Sequence, residues 1–180
     1  MGLFDEKDNN RDFGFIEEFE FHYSIKKHGW TECEVVCNNI AIEFLITHVF
    51  SDPTYDLIDG LIKLVNRENE IKIIWYEEPG SILWIINRNS KEHHKLNINL
   101  KQLKNYYKAK EEDIFLEYSF EIYEDYFIKT IYCQLLKEFL LSKNKGYSRD
   151  RNCKGFIERF RELHKMLNYK VCRNINNFQV

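Results

Sequence analysis

Apolar residues recur along this chain in two periods, and each change of period marks a boundary between elements. Phe19, Phe21, Tyr23 and Ile25 alternate with Glu18, Glu20, His22 and Ser24, which predicts a strand with one wet face. His28-Gly29 supplies a turn, and a second strand is expected from Trp30 to Cys37. Asn38-Asn39 then reads as a tight hairpin turn, because asparagine tolerates positive φ, and Ile40, Ile42, Phe44 and Ile46 form the inner side of a third strand. At Asp52-Pro53 the period becomes helical. Proline suits the first helical position and Asp52 can cap free amides, while Thr54, Leu57, Ile58, Leu61, Ile62 and Val65 recur on one face. Asp56, Asp59, Lys63 and Asn66 take the other side. Gly60 inside this helix costs about 1 kcal/mol relative to alanine, which implies a close neighbour at its backbone.

Two strands follow, turning at Glu78-Pro79-Gly80-Ser81. Pairing symmetric about Pro79-Gly80 would set Trp75 opposite Trp84, Ile73 opposite Ile86 and Tyr76 opposite Leu83. Ile74, Tyr76, Leu83 and Ile85 share one face; Ile73, Trp75, Trp84 and Ile86 share the other. Both faces are apolar, so this pair is expected in the middle of a sheet covered on both sides. Leu96, Ile98 and Leu100, then Ile114, Leu116, Tyr118 and Phe120, continue the sheet, with a polar, lysine-rich connection from Gln102 to Asp113. From Tyr123 the helical period returns through Phe127, Ile131, Leu135 and Phe139. It ends at Asn144-Lys145-Gly146, and a last helix is expected from Gly155 to Asn168 with Phe156, Phe160, Leu163 and Leu167 as its stripe. The order βββ-α-ββββ-αα predicts an α+β fold, an antiparallel sheet of six to seven strands packed by a central helix and two C-terminal helices. With 44% hydrophobic residues over 180 positions, one domain spanning 1–180 is expected, residues 1–13 being frayed.

Charge changes the picture. Residues 1–60 carry 13 acids and 4 bases, net −9, whereas residues 143–180 carry 3 acids and 10 bases, net +7. Glu18, Glu20, Glu32, Glu34 and Glu43 share or border the polar side of the first three strands, an acidic surface that steers a basic protein and repels nucleic acid. The basic tail, with Arg149, Arg151, Lys154, Arg159, Arg161 and Lys165, could touch phosphates, pair with the acidic strands or be a solvated helix face; its interleaved Phe156 and Phe160 belong to an apolar stripe, so nucleic acid is not the expected partner.

Candidate chemistry is sparse. Five cysteines, Cys33, Cys37, Cys133, Cys153 and Cys172, are scattered and odd in number, which fits reduced thiols. Neither the Cys33/Cys37 spacing nor His93-His94 makes a paired metal motif, so neither metal nor cofactor is expected. Glu77-Glu78 before Pro79-Gly80 is the best carboxylate pair; with Asp52 and Arg88 it could border a pocket between helix and turn, although neighbouring strand residues point apart. The N-terminal MGLFDEKDNNRDF has acids where a secretory signal has bases, and no uncharged run approaches a membrane span, so a cytoplasmic protein is expected, off the membrane.

The segments SDPTYDLIDGLIKL, IKIIWYEEPG and ILWIINR resemble a family of small bacterial proteins with an SDP-x-x-DL helix followed by a W-x-(D/E)-E-P-G-x-x-x-W-x-x-x-R hairpin. Asp52, Pro53, Asp56, Leu57, Trp75, Glu77, Glu78, Pro79, Gly80, Trp84 and Arg88 carry the likeness, over residues 45–100. Such proteins are similar to immunity proteins of polymorphic and contact-dependent toxin systems. The resemblance implies a non-enzymatic protein that binds a cognate toxin, here a basic toxin domain met by the acidic strands. Two other readings stay open: a small enzyme or ligand binder at the Glu77–Gly80 turn, and a homodimer or scaffold using apolar surface near Trp75 and Trp84.

Overall fold

The computed structural model describes residues 10–104, 113–151 and 153–175. Within these, the chain runs β1 (Asn10–Phe15), β2 (Phe19–Ile25), β3 (Trp30–Cys37), β4 (Ile40–Thr47), α1 (Pro53–Val65), β5 (Glu70–Tyr76), β6 (Ser81–Arg88), β7 (Lys95–Leu103), β8 (Ile114–Tyr123), α2 (Glu124–Ser142), the short α3 (Lys145–Ser148) and α4 (Lys154–Ile175). The mixed α+β architecture is as expected, with eight strands in one sheet ordered β1-β8-β7-β6-β5-β4-β3-β2. The eighth strand corrects the expected fraying at 1–13. Residues 10–13 belong to β1, which pairs parallel with β8 from Asn10 opposite Glu117. Phe13 stacks on Tyr118, an anchor that a polar stretch with one apolar contact does not advertise. Residues 1–9, most of the 102–113 connection and the side chain of Cys172 lie outside what is described.

The sheet is strongly curved. In a flat sheet β2 and β6 would stand four strand spacings apart, roughly 19 Å. Instead Phe21 of β2 meets Trp84 of β6 at 6.3 Å between ring centroids, and Tyr23 meets Trp75 at 6.2 Å. Phe19 reaches Phe120 of β8 at 5.9 Å. The concave side therefore closes on itself and holds the core, with Trp75 and Trp84 both 0% exposed. One seam in the sheet is loose: β4 and β5 pair only at Thr47 opposite Tyr76.

α1 sits against the inner side of β5 and is held as the sequence predicts. Asp52 accepts hydrogen bonds from the Thr54 and Tyr55 amides. The Trp75 indole N–H donates to Pro53 O at 3.1 Å, and the hydroxyls of Tyr23 and Thr54 lie 2.9 Å apart. The close neighbour of Gly60 is Ile73: a Cβ on Gly60 would stand 2.5 Å from Ile73 Cδ1. α4 covers the outer side of α1, where the Arg159 guanidinium pairs with Asp59.

The expected hairpin register is corrected by two residues. The turn takes up four residues, Glu77 to Gly80, with a cis Glu78–Pro79 bond and the Glu77 amide donating to Gly80 O at 3.1 Å. The last pair is consequently Tyr76 opposite Ser81, and Trp75 faces Ile82 while Trp84 faces Ile73. A shift of two leaves each side chain on its expected face. Trp75 and Trp84 meet diagonally, edge to face, at 5.4 Å. Gly80 is required here: its φ is +113°, and a Cβ would stand 2.6 Å from Leu103 O.

α1 and α2 pack on the concave side of the sheet. On the opposite face no described helix packs; there Ile74 is 46% exposed, whereas Ser81 and Leu103, in the row of Tyr76, are 2% and 3% exposed.

Candidate functional site

The convex face of β2 to β4 gathers most of the acids singled out in the sequence. Antiparallel pairing sets His22 opposite Glu34 and Glu34 opposite Glu43, making a row across three strands. Like charges directly opposite each other disfavour the sheet. His22 Nε2 lies 3.1 Å from Glu20 and 3.7 Å from Glu34. Glu32 pairs with Lys26 at 2.6 Å. The row borders a depression of about 770 Å³ lined by His22, Ser24, Glu32, Glu34, Glu43, Leu45 and Glu77, with Lys137 of α2 at its edge. Glu18 is not part of it; it precedes β2, where its carbonyl accepts the Asn38 amide.

Glu77 joins the acids because of the seam. Below the Thr47–Tyr76 pair, β4 and β5 part, and the Glu77 carboxylate there takes a hydrogen bond from the Leu45 amide. Burial raises its carboxyl above the ordinary glutamate range, and the Leu45 bond offsets part of that rise. Glu78 and Pro79 remain exposed in the turn.

Beyond the acids, the same face turns apolar. Leu45 is 51% exposed, Ile74 lies directly opposite Leu83, and Tyr76 packs against the half-exposed Phe50 at 5.3 Å between centroids. Two charged pairs bound the far side: Lys72 with Glu70 at 2.9 Å and Lys101 with Glu117 at 3.1 Å.

The other candidates are placed elsewhere. Asp52 is engaged by α1, and Arg88 stands at the opposite end of β6 from the turn. The Arg88 guanidinium pairs with Glu124 and donates to Leu64 O at 3.1 Å, so it ties β6 to the ends of α1 and α2. Asp52, Glu77, Glu78 and Arg88 thus do not line one pocket. Asp56 is half-buried, and burial raises its carboxyl. Trp75 and Trp84 themselves face the core, and the exposed apolar side chain beside them is Ile74, on the opposite face. Cys33 and Cys37 are buried on the concave side, where desolvation pushes the Cys37 thiol up to about 12 and Cys33 up as well. Among the described residues no cluster of three or more His, Cys, Asp or Glu could hold a metal ion, and no helix is long and apolar enough to cross a membrane.

Two features escaped sequence reasoning. One is Glu77 as a member of the acidic face, since strand alternation ends at the turn. The other is a set of side chains sealing the free edge of β2. The Tyr126 hydroxyl accepts from Phe19 N and donates to Phe19 O, Lys137 donates to Tyr23 O at 2.6 Å, and Arg151 donates to Ile25 O at 2.9 Å. Glu138, 1% exposed, accepts from the Tyr147 hydroxyl at 2.5 Å and from the Ile25 amide. The basic segment thus meets the meander at its edge, while α4 lies against α1 and not over the acids.

Compared with protein-family models, with curated proteins and with solved structures, the chain has no match.

Proposed function

We propose that this chain is a non-enzymatic protein-binding module of the cytoplasm, an immunity protein that neutralises a basic bacterial toxin domain by occupying its surface. The observation that carries the reading is the Glu34–Glu43 pair on an open sheet face. Two carboxylates held directly opposite each other cost the isolated fold stability, and a cationic partner turns that cost into attraction. The accompanying depression, about 770 Å³, is lined by Glu32, Glu34, Glu43 and Glu77, which gives a cationic surface group several carboxylates to meet. The likeness of the SDP helix and EEPG hairpin to immunity proteins of toxin systems points the same way, and names the partner's class.

The test is growth protection. The chain is co-expressed with a basic bacterial toxin domain, and the expected result is survival with the wild type and killing with Glu34→Lys/Glu43→Lys, circular dichroism confirming that the variant is folded. Equal survival with both, or killing with both, overturns the reading.

A further inference from the structure

We infer that His48 is a proton-operated latch: neutral, its ring holds the connection from β4 to α1 against β3, and charged, it leaves that seat and frees residues 48–52. The device is separate from the acidic face and stands whether or not that face binds a protein.

The seat is built where α1 begins. His48 directly follows β4, and its backbone amide donates to Gly29 O at 2.8 Å. Its Nε2 lies 2.7 Å from the hydroxyl of Thr31, which is 0% exposed, and its Nδ1 is buried with no hydrogen-bond partner. The contact continues inward through hydroxyls. Thr31 bonds Tyr23, and Tyr23 bonds Thr54 in the first turn of α1 at 2.9 Å. The rest of the connection is less enclosed: it has no regular structure, and Val49, next in the chain, is 70% exposed.

The idle nitrogen decides the direction. A neutral imidazole has one N–H and one lone pair, so with Nε2 on Thr31 only Nδ1 goes unused, whichever tautomer is present. Protonation makes both nitrogens donors. Nδ1–H then brings charge to a buried place that offers it no acceptor, a cost the neutral ring does not carry. The neighbouring charges do not remove that cost. Burial holds the imidazole below the ordinary histidine range, outweighing Asp52, which favours the charged form. Asp52 is itself turned to the Thr54 and Tyr55 amides, and Asp56 bonds Ser51. On the Gly29 side Lys26 pairs with Glu32, Lys27 pairs with Asp150 and His28 is exposed. Ahead of α4, Arg151 donates to Ile25 O and Tyr147 O, and burial raises the Cys153 thiol, which stays neutral. Turning the ring out to water relieves the charge and gives up the Thr31 bond. The fold therefore takes up fewer protons at this site than the unfolded chain does. The stability it contributes is present above the ordinary histidine value and is lost as pH falls from there toward the lowered folded value.

The test uses the full chain. Nuclear magnetic resonance follows the His48 ring, and hydrogen exchange follows the His48 amide that donates to Gly29 O, from about pH 8 to about pH 5. The ring is expected to titrate below the ordinary histidine value. As it charges, the protection factor of the His48 amide should fall about tenfold or more while amides in the middle of β3 keep theirs. His48→Gln can reach Thr31 with its amide and cannot ionise, so its protection should stay level over the same range. Its melting temperature should exceed that of the wild type by a margin that widens as pH falls below the ordinary histidine value and is constant above it. Thr31→Val leaves the ring in place without its bond and should lower protection of the His48 amide at every pH. A ring that titrates at or above the ordinary value overturns the inference, as does protection that ignores the ring's charge or falls equally in His48→Gln. Loss of protection shared by the β3 amides also overturns it, because the charge would then unfold the chain and not release a latch. The ring titration and the exchange are read on the wild type, so the outcome stands even where a variant fails to fold.

Discussion

Arg88 and Glu124 form an ion pair in which the side chains are only 6% and 8% exposed, joining the last residue of β6 to the first residue of α2. Glu124 also takes Arg67 at 2.8 Å and sits in the first turn of α2, where a carboxylate is favoured by the helix dipole. Arg88 adds a bond to Leu64 O near the end of α1. One guanidinium thus ties three elements, which explains an arginine at the end of the hairpin motif without any role in a pocket.

Removing that arginine leaves a buried carboxylate short of its main counter-ion. Arg88→Met is expected to cost about 3 kcal/mol, the lower part of the usual range because Arg67 remains, as read from urea denaturation. Adding Glu124→Gln should recover part of the loss. A double variant no more stable than Arg88→Met would show that the guanidinium acts mainly through Leu64.

Gly60 tests the contact between α1 and β5. Alanine gains about 1 kcal/mol in helix propensity, but its Cβ would displace Ile73, and overpacking in a core typically costs about 1–3 kcal/mol. Gly60→Ala should therefore be neutral to destabilising. Ile73→Val, which deletes the offending Cδ1, should cost about 1 kcal/mol in the wild type and little or nothing beside Gly60→Ala. Additive effects in this double-mutant cycle would mean that the helix stands farther from the strand.

The β2 edge offers a third measurement. The Tyr126 hydroxyl satisfies both the amide and the carbonyl of Phe19, so Tyr126→Phe should cost about 1–2 kcal/mol and speed hydrogen exchange at the Phe19 amide. Unchanged protection at Phe19 would show that the edge is sealed by packing alone.

Glu77 predicts a pH dependence. Burial raises its carboxyl in the folded chain, so the fold binds a proton that the unfolded chain releases, and this contribution to stability is lost as pH rises from the ordinary carboxylate range through the raised folded value. Glu77→Gln keeps an oxygen for the Leu45 amide and cannot ionise. The variant should gain in thermal stability relative to wild type as pH rises across that window, and the gap should close at lower pH. A constant gap would mean that Glu77 is solvated at the seam.

How much of this was legible in the sequence follows from where each signal is local. The α1 cap at Asp52-Pro53, the Asn38-Asn39 turn, with φ of 47° and 66°, and the alternation in β2 to β4 depend on neighbouring residues and are found as expected. The hairpin faces were readable because period 2 survives any even shift, and for the same reason the register was not. Curvature was invisible. It goes with aromatic contacts of β2 to β5, β6 and β8 that join positions about fifty to a hundred residues apart, and it decides which apolar face of the hairpin is core. The acids of the candidate site were visible as residues, but the row from His22 to Glu43 needed the strand register, and Glu77 needed the seam.

The central claim is the proposal that the acidic convex face of β2 to β4 binds a basic protein. The most direct measurement is calorimetric titration of a basic bacterial toxin domain into the purified chain at low and moderate salt, wild type against Glu34→Lys/Glu43→Lys. The account predicts a one-to-one complex that weakens with salt and is lost on charge reversal. An affinity unchanged by the reversal, or a complex that tightens with salt, would contradict it.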